Sequence, residues 1–341
     1  MAREDSPRGS GKGRIDVHHH IVPPDYVSTL KAQGMTETTG GPFPDWQPSK
    51  SIRFMNRMGI DKAVVHISTP GVTIRDREFS RDLARLCNEY MADMMKDYPG
   101  RFAPLAALPM FDVQDAVDEL TYAIDTLGLC GAGLLSNYHG AYLGDPSLDP
   151  LFAELDRRRL VVHVHPTDPP YDIDTLKVGH PLVEWPFDTT RAVANMVFNG
   201  TIDRFPDVKF ILSHGGGTTP FLAWKIALQQ YSQSHKRLWA RSIYDFLVTK
   251  RGPEAGMSVL KRLYYDTALA ASPYALRSLQ ELVDTSHILF GTDYCWAQPW
   301  MAPLFTKALS EYDGFTEEDL AAVERNNAMA LFPGLADTEE E

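Results

Sequence analysis

The alternation of short apolar segments with longer amphipathic segments limits the folds open to this chain more than any other feature. Each apolar segment has the length of a buried strand, and nearly all of them are separated by a helical pattern. Buried strands joined by helices pair in parallel, so eight of them predict an α/β fold, a (β/α)8 TIM-type barrel. The predicted strands are residues 15–22, 63–67, 102–108, 132–135, 160–165, 209–213, 263–266 and 288–290. A doubly wound open sheet is less well supported, because no Gly-x-Gly-x-x-Gly motif follows an early strand.

Between the strands, the apolar periodicity predicts helices and two long loops. The first loop, residues 23–49, is interrupted by glycines and prolines and is interpreted as a lid inserted after strand 1, and the second covers residues 166–185. We expect one barrel domain over residues 14–334, a disordered segment at 1–13 and an acidic tail at 335–341. The predicted helices are residues 49–58, 79–97, 113–127, 150–158, 189–202, 219–230, 274–283 and 317–331.

Charge and cysteine content exclude several classes of partner. The 33 Lys and Arg against 45 Asp and Glu leave a net charge of −12, which makes nucleic acid an unlikely ligand. The three cysteines, Cys87, Cys130 and Cys295, form no Cys-x-x-Cys pair and are too few for a disulfide framework. No signal peptide or membrane-spanning run is recognisable. These features predict a soluble cytoplasmic protein with no membrane partner.

Histidine and aspartate collect where the predicted strands end. Strand 1 ends in His18-His19-His20, strand 5 in His163-Val164-His165, strand 6 in His214-Gly-Gly-Gly and strand 8 in Gly291-Thr292-Asp293. The carboxyl ends of barrel strands form the active site, and imidazole with carboxylate is a donor set for divalent transition metals. The sequence therefore predicts one divalent ion, zinc or manganese, held by His18, His20, His165 and Asp293.

The roles of the individual side chains follow in part from strand alternation. His18 and His20 share a face while His19 points to the other side. Alternation does not choose between His163 and His165; we favour His165 because it lies nearer the strand end, and place His163 behind the ligands. Asp16 is expected to orient a ligand imidazole. His214 is predicted as a catalytic acid or base, although a role as a further ligand stays open.

These motifs resemble the amidohydrolase superfamily. Within it, Asp-x-His-x-His, His165-Pro166, His214-Gly-Gly-Gly, Gly291-Thr292-Asp293 and the segment from Trp185 to Arg191 are similar to the non-oxidative decarboxylases. That branch includes 2-amino-3-carboxymuconate-6-semialdehyde decarboxylase, the resorcylate decarboxylases and the fungal 6-methylsalicylate decarboxylases. The resemblance implies the metal set given above, with Asp293 and His214 as catalytic residues. Strand 4 ends in Leu134-Leu135-Ser136, without the lysine that bridges two metals in many hydrolytic members, which favours one ion.

The chain departs from the semialdehyde decarboxylase where that enzyme uses arginines to hold a dicarboxylate. One position is Lys225 here, and the early insertion contains no arginine. Aromatic side chains on the strand-end loops instead suggest a flat ring with one carboxylate. The predicted substrate-binding residues are Phe43, Trp46, Trp185, Phe187, Trp296 and Arg191, with Trp300 as a further aromatic candidate.

The resemblance implies a carbon-carbon lyase, a carboxy-lyase of polyketide secondary metabolism that converts 6-methylsalicylate to 3-methylphenol (m-cresol) and CO2. We expect the metal to bind the carboxylate and the ortho hydroxyl, with Asp293 delivering a proton to the ring and His214 assisting. No nicotinamide or flavin is needed, because nothing is oxidised. The alternative is metal-dependent hydrolysis of a lactone or amide.

The resemblance also implies a homodimer, with Trp224, Lys225 or Arg237 near the neighbour's pocket.

Overall fold

An eight-stranded parallel sheet forms the centre of the protein. The computed structural model describes residues 13–171, 177–236 and 253–335. Each strand hydrogen-bonds to the next one along the chain, as a (β/α)8 barrel requires, and the predicted fold is confirmed. The strands are β1 (Arg14–His20), β2 (Ile60–His66), β3 (Phe102–Ala107), β4 (Gly131–Leu135), β5 (Val161–His165), β6 (Lys209–Leu212), β7 (Tyr264–Asp266) and β8 (Ile288–Leu289).

The barrel closes through the residues that follow the short strand β8. The Val17 amide donates to the Phe290 carbonyl at 2.9 Å, and the Asp293 amide donates to the His18 carbonyl at 2.8 Å. The His20 amide likewise donates to the carbonyl of Tyr294. The backbone of 290–294 thus takes the place of a longer final strand and carries Asp293 alongside the histidines of β1.

Strand β1 contains a bulge that decides where its histidines point. Asp16 pairs with Ala63 and His19 with Val65, so β1 has one more residue than β2 between these two pairs. A bulge of this kind brings Asp16 and His19 to the same side of the strand. The His19 ring lies 3.0 Å from Asp16 and 2.9 Å from the Ser51 hydroxyl, on the face away from His18 and His20. The predicted role of Asp16 is therefore wrong: its carboxylate orients the ring of His19 and accepts from the amide and hydroxyl of Thr292, whereas from His18 it accepts only the backbone amide.

The helices surround the sheet, and several differ from their predicted bounds. They are α1 (Pro24–Ala32), α2 (Pro48–Met58), α3 (Arg77–Asp97), α4 (Val113–Asp125), α5 (Asp149–Arg157), α6 (Glu184–Phe198), α7 (Thr201–Arg204), α8 (Thr219–Lys236), α9 (Glu254–Leu260), α10 (Pro273–Leu282), α11 (Met301–Ser310), α12 (Glu317–Ala321) and α13 (Asn327–Leu331). The predicted helix 189–202 begins earlier, at Glu184, and is divided at Gly200, which has a φ of 68°. The closing helix contains a π-helical turn over Ala322–Asn326.

The predicted lid after β1 is partly helical. Helix α1 was missed because Pro23 and Pro24 were interpreted as loop residues, whereas proline is well suited to the first turn of a helix. A short hairpin follows, in which Glu37–Thr38 pairs with Gly41–Pro42. Helices α9 and α11 were also missed. The predicted function of this region as a lid stays a prediction.

The polar strand ends rest on a packed apolar interior. Side chains from six of the eight strands form one buried cluster, against which the last helix and the residue after it place Ala328 and Phe332. These strand residues are Ile15, Val17, Val64, Ala103, Leu105, Val161, Ile211 and Leu289. Because this end of the barrel is filled with apolar side chains, polar groups are concentrated at the opposite end.

Three further predictions concern the cysteines, membrane spans and the two chain ends, and the described residues cover them only in part. Cys87, Cys130 and Cys295 are all free thiols. Within the described ranges, no helix is long and apolar enough to cross a membrane. The predicted disordered segment and nearly all of the predicted acidic tail lie outside the described residues, as does Arg237.

Candidate metal centre

Three of the predicted ligands meet at the mouth of the barrel. His18 Nε2 lies 3.0 Å from His20 Nε2 and 3.4 Å from Asp293 Oδ1, and His20 Nε2 lies 3.0 Å from the same Asp293 oxygen. Ligand atoms about 2.1 Å from a shared ion are separated by about 3.0 to 3.4 Å for angles between octahedral and tetrahedral. The spacing of these three atoms therefore fits a single divalent ion.

His165 and His214 complete the group. The ring centre of His165 lies 4.8 Å from that of His20, and the ring centre of His214 lies 4.7 Å from that of His18. One donor atom from each of His18, His165, His214 and Asp293 lies within 4.8 Å of the others. The structure thus brings together all five predicted metal-binding and catalytic residues.

Hydrogen bonds behind the imidazoles turn their Nε2 atoms towards the centre. His18 Nδ1 donates to Asp266 Oδ2 at 2.8 Å, His165 Nδ1 donates to the Pro166 carbonyl at 2.7 Å and His214 Nδ1 donates to the Ala268 carbonyl at 3.1 Å. Because each acceptor holds a proton on Nδ1, Nε2 is the nitrogen that each ring presents to a metal or a substrate.

Asp266, at the end of β7, is a central residue that the sequence interpretation missed. Its Oδ2 accepts from His18 and, at 3.2 Å, from His163 Nε2. Its Oδ1 accepts the backbone amides of His214 at 2.9 Å and Ala268 at 3.0 Å. As predicted, His163 lies behind the ligands. The available signal for Asp266 was its position, since it ends a predicted strand at the same edge as the histidines.

His66, at the end of β2, was also missed as a site residue. Its side chain is buried, and its ring centre lies 4.5 Å from that of His20 and 4.4 Å from that of His163. A single histidine after an apolar strand carried no spacing signal, which explains why it was overlooked.

Burial and the two aspartates set the protonation of the centre. Burial lowers the pKa of His20 to about 4 and holds the pKa of His165 well below its ordinary value. Burial also acts to lower the pKa of His18, but the charges of Asp266 and Asp293 and its hydrogen bonds to them raise it to about 10. Burial acts to raise the pKa of Asp293, but hydrogen bonds from His18 and His20 hold it well below its usual range. Without a metal, Asp293 is therefore ionised, His20 and His165 are neutral, and His18 is an imidazolium.

Aromatic side chains lie beside this centre. The Trp185 ring is 5.8 Å from that of His165, and the rings of Phe43 and Trp296 are 6.4 Å apart. The hairpin after α1 reaches both tryptophans, since a Cβ atom on Gly40 would lie 3.3 Å from the Trp185 ring and 3.8 Å from the Trp296 ring. Phe43, Trp185 and Trp296 therefore form an apolar wall next to the metal centre.

Asp168 holds the two loops of this wall together. Its carboxylate accepts from the Thr39 hydroxyl at 2.7 Å, from His180 Nδ1 at 2.9 Å and from the Trp185 indole at 2.9 Å. Thr39 belongs to the hairpin, whereas His180 and Trp185 belong to the connection between β5 and α6. One carboxylate therefore links both sides of the mouth.

The remaining predicted substrate residues lie elsewhere or make other contacts. Trp46 is buried in the hydrophobic core and donates to Ser51, on the His19 side of β1, and its predicted contact with the substrate stays a prediction. Taken singly, an aromatic residue is more often part of the core than of a pocket. Arg191 lies 3.6 Å from Asp188 and 5.3 Å over the Tyr171 ring. Phe187 and Trp300 are exposed.

Comparison with known proteins defines the class. The family model described as amidohydrolase matches residues 15–334. The chain belongs to the amidohydrolase family, which confirms the resemblance seen in the motifs.

Several proteins that are similar to this chain are named as decarboxylases. The chain is 32% identical to 6-methylsalicylic acid decarboxylase from Penicillium expansum, with 94% of this chain and 97% of that protein covered. It is 28% identical to 2-amino-3-carboxymuconate-6-semialdehyde decarboxylase from Dictyostelium discoideum, with 94% and 92% covered. The fold is similar to a dihydroxybenzoic acid decarboxylase from Polaromonas solved with manganese and 2-nitroresorcinol, with a TM-score of 0.75, 21% identity, and 94% and 97% covered.

The raised pKa of His18 predicts that metal binding depends on pH. Because His18 is protonated below about pH 10 in the metal-free protein, a bound ion must displace its proton. We expect the logarithm of the metal affinity to rise by about one unit per pH unit between roughly pH 6 and pH 9, with about one proton released per ion. Titration calorimetry in buffers of different ionisation enthalpy measures this proton count. An affinity independent of pH would contradict the prediction that the ion displaces a proton from His18.

Proposed function

We propose that this protein is a metal-dependent, non-oxidative decarboxylase of a small aromatic ortho-hydroxy acid, with 6-methylsalicylate as the substrate and 3-methylphenol and CO2 as the products. The observation that carries this proposal is the meeting of His18, His20, His165 and Asp293 with His214 at the carboxyl ends of the barrel strands. The relatedness to named decarboxylases supports the reaction class.

In this proposal, His18, His20, His165 and Asp293 hold one divalent ion. The three neutral nitrogens and one carboxylate suit both zinc and manganese, so the donor set does not select between them. Such an ion, when bound, supplies a Lewis acid that attracts the carboxylate and the neighbouring hydroxyl oxygen of a salicylate. Ser136, at the end of β4, donates to the buried carboxylate of Asp188, so this strand end contributes to the scaffold and offers no lysine for a second ion.

Asp293 is the proposed proton carrier. Its carboxylate is ionised in the resting centre because His18 and His20 stabilise the charge. It can therefore accept the proton of the substrate hydroxyl and deliver it to the ring carbon that bears the carboxylate. The bond from that carbon to the carboxyl group then breaks, its electron pair restores the aromatic ring, and CO2 leaves. The phenolate product takes a proton from solvent, which balances the reaction.

His214 is proposed to stabilise negative charge on the substrate and to assist the proton transfer. Its backbone is held by Asp266 and its Nδ1 by the Ala268 carbonyl, which directs Nε2 towards the mouth. A ring fixed from two directions loses little freedom when substrate binds, and this preorganisation favours catalysis over a loosely held histidine.

The aromatic wall favours a flat substrate with a single carboxylate. Phe43, Trp185 and Trp296 offer ring faces and edges beside the centre. Lys225 is exposed on α8, and the hairpin contributes no cation, so the chain by itself offers no second carboxylate clamp at these positions. Phe187 and Arg191 stay proposed substrate contacts, with the Arg191 guanidinium held beside Asp188.

We also propose that the protein forms a homodimer. Phe221, Trp224 and Leu228 follow one face of α8 and are 84%, 56% and 43% exposed, which is unusual for large apolar side chains three and four residues apart. Multi-angle light scattering on the full chain should give twice the 38.2 kDa of the monomer, and Trp224→Glu should reduce that mass to one chain. An exposed Tyr274→Glu variant serves as the control. A wild-type mass of one chain would reject the dimer.

The reaction itself is tested by a product assay on the metal-loaded protein. With 6-methylsalicylate in D2O, we expect CO2 and 3-methylphenol carrying one deuterium between the hydroxyl and methyl groups, because the new C–H bond forms where the carboxylate was. A panel of hydroxybenzoates, together with lactones and amides, covers the alternative of hydrolysis, which releases no CO2. Turnover of a lactone or amide without any decarboxylation would reject the proposal.

Two substitutions separate the proposed catalytic roles. Asp293→Asn removes both a ligand and the proton carrier, so we expect kcat to fall below detection, at least about 10³-fold. His214→Gln should lower kcat by about 10²- to 10⁴-fold while the metal stays bound, since the ligand set is intact. Metal content is measured on the same samples. Near-normal decarboxylation by Asp293→Asn with metal bound would refute the role of Asp293.

A further inference from the structure

Three buried imidazole nitrogens beside the metal centre have no hydrogen-bond partner among the described residues. They are His20 Nδ1, His66 Nε2 and His163 Nδ1. All three side chains are almost fully buried, and the ring centre of His66 lies 4.5 Å from that of His20 and 4.4 Å from that of His163. Buried polar atoms are rarely left unpaired, so a cluster of three requires an explanation.

Two of these nitrogens are acceptors. His66 Nδ1 lies 3.3 Å from the Ile67 carbonyl, which only accepts, so the proton of this ring is on Nδ1 and the lone pair is on Nε2. His163 Nε2 donates to the ionised Asp266 at 3.2 Å, so its lone pair is on Nδ1. A carbonyl or carboxylate acceptor faces only one nitrogen of each ring, so neither ring has an acceptor for a second proton.

The third nitrogen becomes a donor when a metal is bound. His20 Nε2 faces His18 Nε2 and Asp293 Oδ1, the position from which it would ligate an ion. A neutral imidazole that ligates through Nε2 carries its proton on Nδ1. The loaded site therefore contains one unpaired donor, His20, and two unpaired acceptors, His66 and His163.

We propose that His20, His66 and His163 bind one buried water molecule, which fixes the tautomer of His20 and thereby positions it as a metal ligand. A water that accepts from His20 Nδ1 and donates to His66 Nε2 and His163 Nδ1 satisfies all three atoms, and three hydrogen bonds are typical of buried waters. Direct pairing does not occur, because none of the three atoms has a partner within hydrogen-bonding distance. His66 is then a positioning residue. This inference rests on the metal centre of the proposed function.

The test measures metal affinity, which does not depend on the reaction. Manganese affinity of the full chain is determined by competition with a chelator for the wild type, His66→Leu and His66→Gln. We expect His66→Leu to bind manganese about 10- to 100-fold more weakly, as the loss of a partner behind a metal ligand typically does. His66→Gln keeps an acceptor at a similar reach and should bind within about threefold of the wild type. His287→Leu, at a half-buried histidine that stacks on Tyr264 outside the centre, is the matched control.

The outcomes separate positioning from simple packing. Equal weakening in the leucine and glutamine variants, or unchanged affinity in both, overturns the proposal. A high-resolution structure of the manganese-loaded wild type gives an independent answer even if His66→Leu does not fold. An ordered water within hydrogen-bonding distance of His20, His66 and His163 supports the proposal. A second metal ion at this position, recognised by its anomalous signal, overturns it, and so does direct contact between the rings with no water between them. Absence of manganese binding by the wild type overturns both this inference and the metal centre, while normal binding without decarboxylation affects only the proposed function.

Discussion

The carboxylate of Asp266 is the interaction on which the polar end of the barrel depends. It is fully buried, and it accepts from the side chains of His18 and His163 and from the backbone amides of His214 and Ala268. These donors come from β1, from β5 and from the turns after β6 and β7, so one residue sets the relative positions of four segments. Its charge also decides the electrostatics, since it is the main influence that opposes the effect of burial on His18. The buried charge is tolerated because these four donors are directed at it.

The sequence predicts the parts of this structure that depend on local periodicity. Strand alternation and the clustering of histidines at strand ends were enough to place His18, His20, His165, His214 and Asp293 in one site, although they lie up to 275 residues apart. Asp266 and His66 were missed because neither belongs to a spaced motif and their importance comes only from neighbours on other strands. Asp16 was misjudged for a similar reason: strict alternation predicts its facing, but the bulge in β1 changes it. Helix α1 was not predicted because prolines at the start of a helix look the same in sequence as prolines in a loop.

The strands and the loops contribute different parts of the candidate site. The barrel strands bring together the histidines and the aspartate that could hold a metal ion. Around the mouth, aromatic rings occupy the hairpin and the α6 connection, and Asp168 joins these two loops to each other. The strand ends thus supply the candidate metal ligands, and the loops determine the shape and polarity of what can reach them.

The three consecutive histidines of β1 also connect the inside of the barrel with its outer layer. His18 and His20 face the centre, while His19 binds Ser51 on α2, and Ser51 in turn accepts from Trp46. A metal held by the inner pair restrains the same short stretch of backbone that anchors α2 from outside. An ion bound by His18 and His20 would therefore also stabilise the docking of that helix against the barrel.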